Sequence, residues 1–124
     1  MAYCPKRILI VEDNKADLRL LTDILEWRGY ETLQTGDGWE AISLALAHLP
    51  HLILMDIQLP GMSGLEVTRQ LKGDNRSRHI AIVAVTAFAM GWHEREAFDS
   101  GCDAYISKPI TRLGFLRTVE SFLS

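Results

Sequence analysis

The sequence predicts an α/β protein, in which a parallel β-sheet is covered by helices on both faces. Three observations predict this class. Short runs rich in leucine and β-branched residues alternate with stretches of helical periodicity along the chain. Three of these runs are apolar at nearly every position, which is typical of parallel strands buried on both faces. The chain has 124 residues without an internal repeat or linker, which is the usual size of one domain.

The three strongly apolar runs are expected to form the central strands. They are RILIV at 7–11, LILM at 52–55 and IAIVAV at 80–85. Two weaker runs, ETLQ at 31–34 and AYI at 104–106, include polar residues and are expected nearer the sheet edges. Helices between the strands would make right-handed crossovers, which gives five strand–helix pairs.

Helices are predicted where apolar residues follow the i, i+3, i+4, i+7 spacing of one helical face. The predicted faces consist of Leu18, Leu21 and Leu25, of Ile42, Ala45, Leu46 and Leu49, and of Leu113, Leu116, Val119 and Leu123. We expect the first helix to end at Gly29, because glycine commonly follows a helix. Trp27 and Trp39 are expected to pack along helix faces.

Composition and charge narrow the class of function. With 13 Lys and Arg against 16 Asp and Glu, the net charge is -3, so no sequence-wide basic field exists to attract a nucleic acid. Cys4 and Cys102 lie far apart, and no signal-peptide pattern or apolar run of 18 residues occurs. We therefore expect a cytoplasmic protein with no direct nucleic-acid or membrane contact.

Polar residues stand where the predicted strands end. Glu12 and Asp13 follow the first strand, Asp56 the third, Thr86 the fourth and Lys108 the fifth. Ligands of open α/β sheets bind beyond the carboxyl ends of the strands. A carboxylate at the end of a buried strand is costly unless it is paired. One edge of the sheet therefore collects three acids, a hydroxyl and a lysine, which suggests a functional site.

These residue types suit an acyl-phosphate site. Crowded carboxylates repel one another, and a hard cation that prefers oxygen relieves the repulsion. Mg2+ fits best, because it takes one or two carboxylates together with a phosphate oxygen. Asp56 would then offer an oxygen as a nucleophile. Lys108 and Thr86 would neutralise and hydrogen-bond the remaining phosphoryl oxygens.

Four segments resemble the receiver domains of two-component response regulators. They are ILIVED at 8–13, LILMDIQLPGMSG at 52–64, VAVTA at 83–87 and YISKP at 105–109. The resemblance covers about residues 6–122 and implies a doubly wound, flavodoxin-like sheet of order 2-1-3-4-5 with five helices. Within the family, the chain is similar to stand-alone, single-domain regulators of the alphaproteobacterial DivK type. It departs from that subgroup at Gly91-Trp92-His93, which leaves partner specificity and a partner contact at Trp92 open.

The resemblance also implies an acceptor and a set of metal ligands. Asp56 would be the phospho-acceptor and, together with Asp13, a ligand of Mg2+. Glu12 would act on the metal through a water molecule, and Gln58 would contribute its main-chain carbonyl.

Further residues would respond to the phosphoryl group. By the same resemblance, Thr86 would be the switch hydroxyl, Tyr105 the rotating aromatic and Lys108 the phosphate partner. The Lys108–Pro109 bond is usually cis in the family. Phe88 and Gln58 occupy positions that flank the path of the attacking water in receivers.

Each of these residues also has a structural interpretation. An acid after a strand is often a helix N-cap or a turn former, and Asp13 alone allows this reading equally well. Thr86 alone would be a strand-end hydroxyl, and Tyr105 alone a half-buried sheet residue. Only their shared position at the strand ends favours the functional interpretation.

Two other classes of protein fit the residues less well. A flavodoxin-like electron carrier needs a first loop that cradles phosphate with N–H groups and hydroxyls, and Glu12 and Asp13 would repel it. A haloacid-dehalogenase-type phosphatase has a D-x-D motif, whereas this chain has Asp56-Ile57-Gln58.

The sequence therefore predicts one receiver domain over residues 1–124 without an output domain, because the chain stops at Ser124 as its last helix finishes. It would be a signalling phospho-acceptor rather than an enzyme. A sensor histidine kinase or histidine phosphotransfer protein would donate the phosphoryl group, and a downstream protein target would read it. The receiver would be a monomer or weak dimer. A phosphorelay intermediate or phosphate sink without its own output is the alternative.

Overall fold

A computed structural model describes residues 5–87 and 91–123, with the backbone alone at 91 and 92. In this part of the chain, five strands alternate with five helices. The strands are β1 (Arg7–Val11), β2 (Glu31–Thr35), β3 (Leu52–Met55), β4 (Ala81–Thr86) and β5 (Ala104–Ser107). The helices are α1 (Lys15–Trp27), α2 (Gly38–His48), α3 (Gly64–Gly73), α4 (Gly91–Ser100) and α5 (Arg112–Leu123).

The strands form one parallel sheet in the order β2-β1-β3-β4-β5. The predicted fold class is thereby confirmed, including the central position of the three apolar strands and the edge position of the two weaker ones. The fourth strand lies one residue later than predicted, and the two edge strands each extend one residue further. None of the helices within the described ranges is long and apolar enough to cross a membrane.

The hydrophobic core lies on both faces of the sheet, because successive side chains of a strand point to opposite faces. Leu9 and Val11 of β1 pack in the cluster that includes residues of α2, α3 and α4. Ile8 and Ile10 pack in the other cluster, with residues of α1 and α5. Burying each such side chain contributes about 1.5–3 kcal/mol. Both faces of the sheet are thus used for packing, and the strand ends remain for polar residues.

Short polar side chains begin the first three helices. Asn14, Asp37 and Ser63 are the N-caps of α1, α2 and α3, and each accepts a hydrogen bond from the backbone N–H three residues later. Such a cap contributes about 1 kcal/mol. Asn14 rather than Asp13 caps α1, so the N-cap interpretation of Asp13 is wrong. The carboxylate of Asp13 therefore does not serve the helix as its cap.

Four large side chains that were assigned to helix faces are exposed. Trp27, Trp39, Leu49 and Leu113 all lie largely in solvent. Trp27 follows the buried Leu25 by two residues, and positions i and i+2 do not share a helix face; its ring lies 4.7 Å from the Arg112 guanidinium carbon. Leu49 lies beyond the last turn of α2 in a left-handed conformation, with φ of 46°.

Gly64 begins α3 directly against the segment that follows β3. Its N–H donates to the backbone oxygen of Ile57 at 2.8 Å. A Cβ atom added at this position would lie 2.1 Å from the backbone oxygen of Asp56. Because this obstacle is backbone, the segment carrying Asp56 would have to move to admit any side chain.

We therefore expect Gly64→Ala to lower the free energy of unfolding by about 2–3 kcal/mol. Gly73→Ala, at the opposite end of the same helix, is the matched control. Nothing lies within 4 Å of a Cβ atom added there, so this change should be neutral or stabilise by up to about 1 kcal/mol. Urea unfolding measures the free energy of unfolding of both variants. If Gly64→Ala were as stable as Gly73→Ala, the close approach at Gly64 would be contradicted.

Candidate functional site

The carboxyl edge of the sheet contains an open cleft of about 450 Å³. Residues that follow β1, β3, β4 and β5 meet there, as the parallel arrangement of the strands requires. The cleft is lined by Glu12, Asp13, Asn14, Asp17, Asp56, Gln58, Ala87 and Lys108. The structure therefore brings together the acids and the lysine that stand at the predicted strand ends.

A cluster of three carboxylates forms the floor of this cleft. Oxygen atoms of Glu12, Asp13 and Asp56 all lie within 4.8 Å of one another. Glu12 and Asp56 are buried, whereas Asp13 is exposed. The backbone N–H of Glu12 donates to Thr35 and that of Asp56 donates to Val11, both at 2.9 Å. These bonds continue the sheet beyond its strands and hold the carboxylates close together.

Lys108 supplies a positive charge to the cluster. Its ammonium donates to Glu12 Oε1 and to Asp17 Oδ2, the second at 2.9 Å, and lies 3.8 Å from Asp56 Oδ2. Its backbone N–H donates to the backbone oxygen of Thr86 at 2.9 Å, and its peptide bond to Pro109 is cis. One ammonium is therefore shared by carboxylates that come from three separate segments of the chain.

The surroundings change the proton affinity of these groups. Burial raises the pKa of Asp56 from its ordinary value near 3.8 to about 7, and the hydrogen bond with Glu12 acts in the same direction. The N–H of Gln58, which donates to Asp56 Oδ1 at 3.0 Å, and the charge of Lys108 lower it. Burial lowers the pKa of Lys108, but its hydrogen bonds to Glu12 and Asp17 outweigh this and leave the pKa raised.

The donor set fits a divalent cation such as Mg2+. All three groups of the cluster are carboxylates, which are the hard oxygen ligands that this ion prefers. Their mutual repulsion is visible in the raised pKa of Asp56, to which the neighbouring Glu12 contributes. An ion of opposite charge relieves both this repulsion and the cost of burial. The exposed position of Asp13 leaves one side of the cluster open to solvent.

The two proposed switch residues lie on the last two strands. Thr86 ends β4 and is buried. Tyr105 of β5 pairs with Ala84 and packs against the core cluster on the α2–α4 side of the sheet. Its hydroxyl is shielded from solvent and has no hydrogen-bond partner among the described residues. Phe88 and the side chain of Trp92 lie outside the described part of the chain.

Sequence reasoning missed the contact between Asp17 and Lys108. Asn14 and Asp17 have the spacing of an N-cap and a third helical residue, where an acid normally serves the N-terminus of the helix. Asn14 does accept a hydrogen bond from the backbone N–H of Asp17 at 3.0 Å. The Asp17 carboxylate, however, binds Lys108 across the cleft. No local pattern in the sequence reveals a contact between residues that are 91 positions apart.

The five-stranded parallel sheet and the acidic cluster at its carboxyl edge fit a receiver domain of two-component signalling. The sequence profile of the response regulator receiver domain matches residues 8–120. The chain therefore belongs to the response regulator receiver family, which confirms the resemblance found in the sequence.

Among its relatives are regulators of the DivK type. The polar-differentiation response regulator DivK of Brucella anthropi is 54% identical over 119 residues, which cover 96% of this chain and 97% of that protein. The DivK protein of Brucella ovis is 53% identical over 118 residues, which cover 95% of this chain and 96% of that protein. The similarity thus extends over nearly the full length of both proteins.

Solved structures agree with this placement. The receiver domain of a sensor histidine kinase from Pseudomonas aeruginosa, with a magnesium ion coordinated in its active-site cleft, has a TM-score of 0.90 at 28% identity and covers 97% of this chain and 98% of its own. A CheY-like receiver protein from Methanospirillum hungatei has a TM-score of 0.89 at 31% identity and covers 97% of this chain and 94% of its own.

The raised pKa of Asp56 makes stability depend on pH in the metal-free protein. The folded state binds a proton that the unfolded state releases between pH 3.8 and about 7. The corresponding stability is fully present below the lower value and is lost as the pH rises through the higher one. Asp56→Asn cannot ionise, so its stability relative to the unchanged protein should increase by about 2 kcal/mol between pH 5 and pH 8.

Urea unfolding in the presence of a chelator, at both pH values, measures this change. Asp23→Asn is the control, because Asp23 is exposed on α1 and paired with Arg19. Its effect should be small at both pH values. If the free energies of unfolding of Asp56→Asn and of the unchanged protein differed by the same amount at pH 5 and at pH 8, the pKa of Asp56 would not be raised.

Proposed function

We propose that this protein accepts a phosphoryl group on Asp56 from the phosphohistidine of a sensor histidine kinase or phosphotransfer protein, and signals through a phosphorylation-controlled protein contact. The observation that carries the proposal is the position of Asp56 within an acidic cluster and beside Lys108. Membership of the receiver family supports it. The near full-length similarity to DivK proteins supports an output made by the receiver domain itself.

The transfer requires a nucleophile and groups that bind the phosphoryl oxygens. An oxygen of ionised Asp56 would attack the phosphorus while the bond from phosphorus to the donor histidine nitrogen breaks, and that nitrogen keeps the electron pair. Lys108 and Thr86 would then bind phosphoryl oxygens. Burial favours the protonated form of Asp56 even with Lys108 nearby, so a further positive charge would increase the ionised fraction of the nucleophile at neutral pH.

Mg2+ would provide this charge. Asp13 and Asp56 would hold the ion directly, Glu12 would act through water, and Gln58 would contribute its main-chain carbonyl. When bound, the ion offsets the charge of the carboxylates and of the transferring group. The magnesium in the cleft of the Pseudomonas receiver supports this assignment. Glu12 suits an outer position because its two oxygens are already engaged by Lys108 and the N–H of Asn14.

Thr86 and Tyr105 would convert phosphorylation into a change of surface. The hydrogen bond from the backbone N–H of Lys108 to the backbone oxygen of Thr86 connects the ends of β4 and β5. A movement of the Thr86 hydroxyl toward a phosphoryl oxygen would change the packing around Tyr105, two strand positions before the end of β5. Among the residues that the structure describes, the Tyr105 hydroxyl has no partner, so a second arrangement of this strand could give it one.

The first prediction of this proposal concerns the acceptor. Incubation with acetyl phosphate and Mg2+ should add the mass of one phosphoryl group to the protein, and Asp56→Asn should abolish the addition. Asp23→Asn, the same substitution at an exposed acid of α1, should be labelled normally. Replacing Mg2+ by a chelator should slow labelling by at least about tenfold. Intact-mass measurement checks these outcomes; undiminished labelling of Asp56→Asn would refute the assignment.

The second prediction concerns the switch. Beryllofluoride with Mg2+ mimics a phosphoryl group on a carboxylate, and it should shift amide NMR signals in β5 and in α5 as well as in the cleft. In Thr86→Ala, which lacks the switch hydroxyl, the shifts should stay within the residues that line the cleft. Shifts confined to the cleft in the unchanged protein as well would show that binding is not passed on to the last strand and helix.

A further inference from the structure

We propose that Asp17 is a positioning residue that holds Lys108 through an exchangeable ion pair and thereby lowers the affinity of the site for phosphoryl oxygens. The inference rests on the proposed function, because it concerns the same cleft. Asp17 lies outside the carboxylate cluster, yet it would help to set the affinity of the cleft for a phosphoryl group.

The two carboxylates that bind the Lys108 ammonium are unequally buried. The side chain of Glu12 is 2% exposed, whereas that of Asp17 is 38% exposed and that of Lys108 is 16% exposed. Releasing Glu12 would leave a buried charge without its partner, which is costly. Water can solvate the carboxylate of Asp17, so this contact breaks at little cost. Asp17 is therefore the partner that Lys108 exchanges.

The Asp17 carboxylate is not engaged by the N-terminus of its own helix. In a reciprocal capping box, a Glu or Gln at the third helical position accepts the N–H of the N-cap residue. Here the N–H of Asn14 donates instead to Glu12 Oε2, at 3.2 Å. The Asn14 side chain in turn holds the backbone N–H of Asp17 at 3.0 Å. Asn14 thus contacts both anionic partners of Lys108, and the Asp17 carboxylate remains free to line the cleft and bind the ammonium.

The Lys108 ammonium lies closer to Asp17 than to Asp56, the proposed acceptor. Lys108 Nζ lies 2.9 Å from Asp17 Oδ2 but 3.8 Å from Asp56 Oδ2, beyond hydrogen-bond distance. A phosphoryl group on Asp56 would have to draw this ammonium toward its own oxygens. The negative charge of Asp17 opposes this movement and also repels the incoming anion. Both effects weaken binding of a phosphoryl group.

The test is an NMR titration with beryllofluoride in the presence of Mg2+. Asp17→Asn should bind this phosphoryl mimic about three- to tenfold more tightly than the unchanged protein, as loss of one charge-assisted contact implies. Asp17→Glu, which keeps the charge and can reach Lys108, should return the affinity close to its original value. Asp23→Asn removes a charge from the same helix without touching Lys108 and should have no effect.

Melting temperatures measured with a chelator check that the variants fold, since the exposed Asp17 contact contributes little to stability. Unchanged affinity in Asp17→Asn, or equal tightening in Asp23→Asn, would overturn the proposal while leaving the proposed function intact. Failure of the unchanged protein to bind beryllofluoride, together with a lack of labelling at Asp56, would overturn both proposals.

Discussion

The ammonium of Lys108 is the contact on which the polar edge of this protein depends. It joins Glu12, Asp17 and Asp56, which come from the ends of two strands and the first turn of a helix. A buried carboxylate without a partner is costly, and breaking a buried ion pair by removing one member typically costs about 3–5 kcal/mol. Glu12 is tolerated at the end of an apolar strand because this cation and the N–H of Asn14 both reach it.

The same sheet that stabilises the fold also creates the electrostatic strain of the site. Hydrogen bonds from the backbone N–H of Glu12 to the backbone oxygen of Thr35, and from that of Asp56 to that of Val11, extend the sheet past its strands. The backbone positions that carry the two carboxylates are therefore held close together. The close approach of Gly64 to the Asp56 backbone restricts Asp56 from the other side. The pKa of Asp56 is raised to about 7 chiefly by burial, so its ionised form costs stability, which is typical of residues held in place for a function rather than for the fold.

The fold and the centre of the site were predictable because both follow from short sequence patterns. Apolar runs locate strands that are buried on two faces, and the residues that follow these runs lie at one edge of the sheet. Asp56 and Lys108 both occupy such positions. The exposure of Trp27 contradicts the expected packing, although its spacing of two residues from the buried Leu25 already argues against a shared helix face. Asp17 was missed for a different reason. Its sequence context indicates a capping role, and only the folded chain brings it to Lys108.

The connection between the site and the last two strands is short. Lys108 follows β5 directly, and its N–H is bound to the backbone of Thr86 at the end of β4. Tyr105, within β5, lies three residues before Lys108. If a phosphoryl group drew the ammonium away from Asp17, the displaced residue would already be part of the segment that carries the aromatic side chain. The proposed coupling therefore needs no pathway through the core, because Lys108, whose ammonium would contact the phosphoryl group, directly follows the strand that carries Tyr105.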